Sequence, residues 1–466
     1  MEFVDGPVPL GEWTPDAKDC SFPNLITANN VEPLNVVYKS FARLVEGSNA
    51  PSGTYLRGAG TGFTITGGEY IYVATNNGIF MSNDGAAFSS RSPTAGPATT
   101  DFLQFEDLMF AARSDVFSVL YHTVGAASNF LTANSAPFAS RIGKINDFLI
   151  LGDVVDSFTT PHRVRWSAIN DPLSFPTPGS ATAIATQAGE QYLDSRYGAV
   201  TGFSNGDQFG LVFQKGAITR ISYIGGSVVF QFDKISTNIG CRFPRSIVQK
   251  DGWTYFADYS GFYKTDGVSV QNIGELKVND YFQSRYAGVD PTRVFGAANY
   301  TNNLVYWAYA DTANSFATPT AMILYNAFEN RFSSATQTCE GIMSSTPLHP
   351  AIRGFGSSMT YGQFSNIVGV VADIETGNIE FNPGGFSYLS GAKLIVDQTA
   401  NSIVGKSEVT SDLLTVTTVG SATSNAITGF CDFRTEGRYH RLRFNVDSTF
   451  YQAQAMEFLA KPSGKR

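Results

Sequence analysis

Six short apolar stretches, spaced along the middle of the chain, constrain its fold more than any other feature. They occupy residues 70–74, 108–112, 148–152, 209–213, 253–257 and 304–308. Five follow a turn signal: Gly67-Gly68, Asn146-Asp147, Asn205-Gly206-Asp207, Asp251-Gly252 and Asn302-Asn303. Runs this short, bounded by such turns, read as buried strands and not as helices. Their starts are roughly 40 to 60 residues apart, near the length of one propeller blade. A glycine followed by apolar residues recurs after several of them, as in Asn77-Gly78-Ile79, Lys215-Gly216-Ala217-Ile218 and Ser260-Gly261-Phe262. That pattern predicts a hairpin into a following strand. Residues 228–232 and 321–325 read as later strands of the same units. The expectation is an all-β protein, a β-propeller of about six blades; a run of sandwich domains is the rival architecture.

Composition agrees. Of 466 residues, 45 are Gly, 37 Phe and 21 Tyr, while charged residues make up 15% against the usual ~25%. Such a chain can bury a sizeable core and suits tight turns better than long amphipathic helices. The formal net charge of -8 argues against a basic nucleic-acid-gripping surface. Cys20, Cys241, Cys339 and Cys431 are too scattered for a zinc site or a disulfide framework, and read as free thiols. The first residues, Met1 to Asp5, lack the features of a secretion signal. The longest apolar run, 367–372, is too short to span a bilayer. The reading is therefore a soluble protein made in the cytosol, with no membrane insertion.

Three regions follow. Residues 1–54 are Pro-rich, with Pro7, Pro9, Pro15, Pro23 and Pro33, and read as an extended arm lying on the rest of the fold or on a partner. Residues 55–345 are the propeller. Residues 346–466 form a second, smaller β region resembling a sandwich-like platform. Within it Leu442, Phe444 and Val446 fall on one face of a strand, with Arg441, Arg443 and Asn445 on the other. Between Gly274 and Gly288, the spacing of Leu276, Val278, Tyr281, Phe282 and Tyr286 predicts a short amphipathic helix.

No catalytic constellation emerges. The four histidines, His122, His162, His349 and His440, lack metal-ligand spacing, and no nucleophile elbow, zinc-protease helix motif or P-loop is present. No cofactor is expected. The fragment from Ser82 to Phe88 is close to the Asp-box turn of sialidase-type propellers, but it is one residue short and ends in Phe instead of Trp. Two basic clusters stand out as binding features. Arg163 and Arg165 flank Val164 beside Trp166, ahead of Asn170-Asp171-Pro172. They serve either a planar contact to a neighbouring subunit or the pinning of local loops, with Asn170-Asp171-Pro172 as a turn. Arg434, Arg438, Arg441 and Arg443 lie within ten residues, with His440 among them. The candidate intersubunit or adaptor contacts are Arg438, His440, Arg441, Arg443, Arg163 and Arg165. Trp166, Trp253 and Trp307 are candidate core residues.

These residues also carry a family likeness. In order, the chain has Trp13-Thr14-Pro15-Asp16, Ala28-Asn29-Asn30-Val31-Glu32-Pro33, Arg163-Val164-Arg165-Trp166-Ser167 and Ser236-Thr237-Asn238-Ile239-Gly240-Cys241. Asp251-Gly252-Trp253 and Gly261-Phe262-Tyr263 come next, and Gly437-Arg438-Tyr439-His440-Arg441-Leu442-Arg443 with Ala453-Gln454 closes the series. Across nearly its whole length the chain resembles the tail nozzle proteins of short-tailed bacteriophages, the packaged-DNA-stabilisation type. The resemblance implies a structural virion protein and no enzyme. It implies a homohexameric ring below the portal and the tail adaptor, contacts with tail fibre or tailspike proteins, and passage of double-stranded DNA during ejection. A propeller enzyme or lectin acting on host-surface glycans is the alternative; a carbohydrate-cleaving propeller should show paired carboxylates along its central tunnel.

Overall fold

The computed structural model describes residues 6–463 apart from 18–20, 92–98, 115–118, 156–158, 227, 289, 313–317, 367–369, 398–402, 412, 414–416 and 448–449. Cys20, the first five residues and part of the apolar run 367–372 lie outside the described residues. No helix among the described residues is long and apolar enough to cross a membrane.

Strands dominate, and most are joined in antiparallel four-stranded meanders. Units one to six begin at Leu56, Thr100, Phe138, Val200, Val248 and Phe295. Their second strands are Glu69–Thr75, Leu108–Arg113, Phe148–Val155, Phe209–Gln214, Trp253–Asp258 and Leu304–Tyr309, the six apolar stretches of the sequence. Each is largely apolar because it lies between two neighbouring strands of its own sheet with adjacent sheets on both faces. In the last, all six residues are buried. Tight turns join the strands: Asp251 and Gly252, between Lys250 and Trp253, take φ values of 50° and 78°, the left-handed pair that a two-residue hairpin demands.

A seventh meander differs from the expected six. Gly341–Met343, Arg353–Phe355 and Tyr361–Ser365 form three of its strands, and the fourth, Arg43–Glu46, comes from the N-terminal segment. Leu44 pairs with Phe364 and Val45 with Gln363. Two of these strands lie beyond residue 345, and the closing one lies within the expected arm. First strands or their lead-in segments from all seven units line one central cavity, through Gly58, Phe102, Ile142, Phe203, Ile247, Phe295 and Ile342. This is the arrangement of a β-propeller.

The remaining strands form two larger assemblies. The outer strand of unit six, Arg331–Thr336, continues through Leu25–Asn29, Ala372–Thr376, Tyr439–Val446, Ile403–Thr410 and Thr417–Thr423, making a nine-stranded sheet. A six-stranded sheet combines Val8–Pro9, Val31–Leu34, Val37–Ser40, Ala453–Pro462, Ser387–Val396 and Cys431–Gly437. One core joins them: Ile374, Leu442 and Phe444 pack with Leu389, Phe433 and Phe458, and the cluster runs on to Phe262 and Trp307 in units five and six.

The N-terminal segment therefore lies on its own chain. Trp13, 1% exposed, donates its indole N–H to the carbonyl of Ile26 at 2.8 Å and meets Tyr281 edge-on. Asp16 caps the short helix Asn279–Arg285, accepting the N–H groups of Asp280 and Tyr281 at 2.8 Å each. The helix is shorter than its spacing suggested. Phe282 and Val278 are buried, but Leu276 is 78% exposed with φ 57° and lies in the turn before the helix.

Candidate functional site

The strand Tyr439–Val446 runs between Ala372–Thr376 and Ile403–Thr410. Its alternation follows the pleat: Leu442, Phe444 and Val446 are fully buried, while Arg441, Arg443 and Asn445 face outward and are half-buried. Arg443 forks onto Asp373, with Nε 2.7 Å from Oδ1 and Nη2 bonded to Oδ2. That bond, with help from Glu375 and Glu408, raises the guanidinium's pKa. Arg441 donates Nε to Asn378 Oδ1 at 2.8 Å and pairs in register with Glu408, as Arg443 does with Glu375. Glu375 accepts from Thr27 Oγ1 at 3.0 Å, and burial pushes its carboxyl pKa up. The outer face of the sheet is thus a ladder of alternating charges that holds the two arginines flat. Such half-exposed pairs add little stability; they fix orientation. Arg438, 42% exposed at its side chain, stands 4.0 Å from Glu380 and over the ring of Tyr439.

Two expectations about this cluster are corrected. His440 is not a contact residue: it is fully buried, with Nε2 3.0 Å from Ser387 Oγ, and burial lowers its pKa. It shares strand parity with Leu442 and Phe444, so the pleat turns it inward. Arg434 belongs to the other assembly, on Cys431–Gly437, where it is exposed beside Asp432 and Glu436.

Arg163 and Arg165 lie on the third strand of unit three, Thr159–Trp166. Arg163, 6% exposed, pairs with Glu190 at 3.3 Å and with the hydroxyl of Tyr192 at 3.3 Å. Arg165 donates Nη2 to the carbonyls of Phe175 and Pro176 at 3.2 and 3.1 Å. Both guanidiniums bond inside the unit and bind the excursion between Trp166 and Tyr192 to its strand, the loop-pinning role of the two open to them. Asn170 sits in a turn with φ 57°. Trp166 is 7% exposed and donates to the carbonyl of Gln187 at 2.9 Å; Trp307 is fully buried and donates to that of Ser246 at 3.1 Å. Trp253 fills its expected core role only in part: it packs against the main cluster from its edge. It is only half-buried, with Lys264 Nζ 4.6 Å over its ring, and it lines a 630 Å³ groove that also borders Phe209 and Tyr300. Sequence reading missed Trp13, whose Pro-rich surroundings carry no burial periodicity.

The central cavity, 340 Å³, bears on the carbohydrate-cleaving form of the alternative. Among its described lining residues Asp101 is the single carboxylate, and both its oxygens accept from Arg141 Nη1 at 3.1 Å. A paired acid and base is therefore not assembled there. The Ser82–Phe88 fragment is a turn: Asp84 and Gly85 take φ 53° and 74°, and Ser82 Oγ donates to the carbonyl of Ala86 at 2.7 Å. Asp84 contacts His349 Nε2 at 2.6 Å, and His349 also lies 3.7 Å from Glu69. Cys241, Cys339 and Cys431 are buried and free, and burial pushes the first two thiols up to about 12, far from the reactive range. The described residues contain no group of three or more His, Cys, Asp and Glu placed to hold a metal.

No protein-family model matches the chain, and no curated protein does. Several solved structures are similar to it. The virginiamycin B lyase of Staphylococcus aureus, in its selenomethionine form, is 12% identical with a TM-score of 0.44, covering 69% of this chain and 98% of that one. A streptogramin B lyase is 10% identical with the same score and coverage. The Pan2 WD40 domain of Neurospora crassa is 8% identical with a TM-score of 0.38, covering 71% of this chain and 91% of that one.

Proposed function

We propose that the chain is a structural virion protein, the nozzle subunit of a short-tailed bacteriophage, built as a seven-bladed propeller on a β platform. Six copies close head to tail into a ring that continues the portal and adaptor channel, retains packaged DNA and releases it at ejection. The adaptor sits on one side of the ring, and tail fibre or tailspike proteins attach to the subunit. The observation that carries this reading is the nine-stranded sheet. Strand Leu25–Asn29 stitches unit six to the C-terminal strands, so propeller and platform share one sheet and one core. A channel wall under the pressure of packaged DNA needs that rigidity; a monomeric catalyst does not. The ordered motifs give the same direction, and the net charge of -8 suits a passage along which DNA slides. The outward ladder around Arg441 and Arg443 is the contact to the adaptor or to a neighbouring copy.

The test is the mass of the purified chain, alone and mixed with a portal–adaptor ring. The expected result is assembly only on the template, adding a sixfold multiple of the 50.3 kDa chain. A persistent monomer that ignores the ring would overturn the reading.

A further inference from the structure

We infer that the pocket where the hairpin Val31–Ser40 meets units six and seven is a binding site for one neutral sugar residue, held by Glu32 and Asn299. This inference goes beyond the nozzle reading and does not rest on it.

Glu32 and Lys39 stand opposite each other on the paired strands Val31–Leu34 and Val37–Ser40. Both line a 270 Å³ pocket, together with Asn299 at the end of the first strand of unit six, and with Tyr306 and Phe364. Glu32 is 2% exposed. Its Oε1 is taken by the chain, accepting the N–H of Ala42 at 3.1 Å and the hydroxyl of Tyr306 at 3.2 Å. Its Oε2 accepts nothing from the described residues, yet it is not sealed in: it keeps accessible surface, and Glu32 borders the pocket. Asn299, 8% exposed, is its counterpart on the pocket wall. Its Oδ1 accepts both the N–H and the hydroxyl of Thr301, at 2.9 and 2.7 Å, which fixes the orientation of the amide. The Nδ2 donors are thereby turned away from that loop; they too keep accessible surface and find no partner among the described residues.

The charges decide the class of ligand. Glu32 is the single carboxylate and Lys39 the single cation among the described residues that line the pocket. Burial raises the carboxyl pKa of Glu32, and the N–H of Ala42, the charge of Lys39 and the hydroxyl of Tyr306 offset part of that. Lys39 therefore acts on Glu32 through space, although the two form no ion pair. The lining is neutral in sum: a lone cation meets Lys39, and a lone anion meets Glu32. What the pocket lacks is hydrogen bonds, a donor for Oε2 and an acceptor for Nδ2. Both groups belong to nearly buried side chains, where such bonds are costly to leave unmade. Hydroxyls donate and accept alike, so one polyhydroxylated ring answers both demands and adds no charge. Lys39 supplies a further donor, and Tyr306 and Phe364 an apolar wall for the C–H groups of the ring. A volume of 270 Å³ lies just below the ~300–1,000 Å³ of sites for drug-sized ligands, the scale of a single sugar ring. With one carboxylate the pocket holds a sugar and does not cleave it, since cleavage takes a pair.

The probes are D-glucose, D-galactose and D-mannose, each titrated into the full chain at millimolar concentration and read by saturation-transfer NMR, with glycine as a zwitterion that is also neutral. At least one hexose is expected to bind at a single saturable site, and glycine is not. In Glu32→Gln the amide oxygen keeps the bonds from Ala42 and Tyr306, so the nitrogen takes the place of Oε2 and the free acceptor becomes a donor. That variant should weaken hexose binding by about tenfold or more, the loss of one charge-assisted bond. Asn299→Asp keeps the acceptor for Thr301 and exchanges the Nδ2 donors for a second acceptor. It should also bind more weakly, and it gives the same reading where Glu32→Gln does not fold. Arg196→Gln, whose parent side chain is 80% exposed, should leave binding unchanged. No hexose bound by the wild type, wild-type affinity in the Glu32 and Asn299 variants, equal loss in Arg196→Gln, or glycine bound in place of the hexoses would each overturn the proposal. Ring assembly on a portal–adaptor template does not enter the readout, so this inference and the nozzle reading fail separately.

Discussion

Glu69 and Arg353 meet where water is excluded, with side chains 1% and 0% exposed and an Nη1–Oε1 distance of 2.5 Å. Glu69 belongs to unit one and Arg353 to unit seven, so the pair ties the two ends of the ring of meanders. Thr346 adds a hydroxyl to the same carboxylate at 2.8 Å. Removing one partner strands the other charge: Arg353→Met should cost about 3–5 kcal/mol, read from the urea midpoint. The double variant with Glu69→Gln should recover part of it, and an Arg353→Met loss under about 1 kcal/mol would contradict this account. His440 supports a second prediction. Its folded pKa lies below the ordinary value because burial disfavours the cation. The unfolded chain therefore takes up a proton near pH 6.5 while the native one does not, and stability is lost as pH falls below about 6.5. Relative to His440→Gln, in which every other group still titrates, the wild type should lose ground between pH 7.5 and 5.5 in urea unfolding; parallel profiles would exclude the mechanism. The fate of His440 was legible, since it has the parity of Leu442 and Phe444. Grouping it by charge with its arginine neighbours hid that signal. The partners of Arg163 and Arg165 were not legible, because Glu190 and the carbonyls of Phe175 and Pro176 reach them through an irregular excursion.

At the scale of elements, all six apolar stretches seen in the sequence are second strands, the most enclosed position of each meander. The seventh unit escaped notice for a physical reason. Its second strand is only Arg353–Phe355, three residues, of which one is charged and one is glycine. Its fourth strand lies more than 300 residues earlier in the chain, and nothing local marks that pairing. Closure by Arg43–Glu46 makes a prediction. Leu44 is 2% exposed and packs in one cluster with Phe41, Phe355 and Phe364. Leu44→Ala should cost about 2–5 kcal/mol in denaturant unfolding, although it touches only a four-residue strand. A chain begun at residue 48 should fare worse, because it loses Leu25–Asn29 and three strands of the six-stranded sheet as well, and the uncovered edge of Tyr361–Ser365 invites pairing with another molecule. Size-exclusion chromatography would show oligomers or aggregates; a stable monomer would mean that the ring needs no closing strand. A gentler probe of the same segment is Asp16→Ala. It removes a helix cap supplied from 264 residues away and should cost about 1 kcal/mol.

For the whole molecule, the nozzle reading turns on whether the charged ladder belongs to folding or to assembly. Arg443 is largely consumed by Asp373 within the chain, so its replacement mixes the two roles. Arg441 is the cleaner probe: it holds Asn378 by one bond and faces Glu408 across the sheet. Arg441→Glu places a carboxylate opposite Glu408 at a half-buried strand position. Like charges directly opposite destabilise a sheet, by about 0.2–1 kcal/mol for such a pair, a small part of the ~5–15 kcal/mol typical of a folded domain. The variant should therefore remain folded, with a circular dichroism spectrum and thermal midpoint close to those of the wild type. At an interface the same change does more, since a reversed charge meets each partner's matching surface once per copy, and like-charge juxtaposition across an interface costs several kcal/mol. In a sixfold ring that penalty recurs at every contact. The expected outcome is a folded Arg441→Glu monomer that fails to join a portal–adaptor ring, while Arg196→Glu, on the exposed turn between units three and four, joins normally. Weakening of assembly by added salt in the wild type would place the contact among surface charges. If Arg441→Glu assembles as the wild type does, the ladder is a solvated sheet face, and the subunit contacts must lie on the flanks of the meanders.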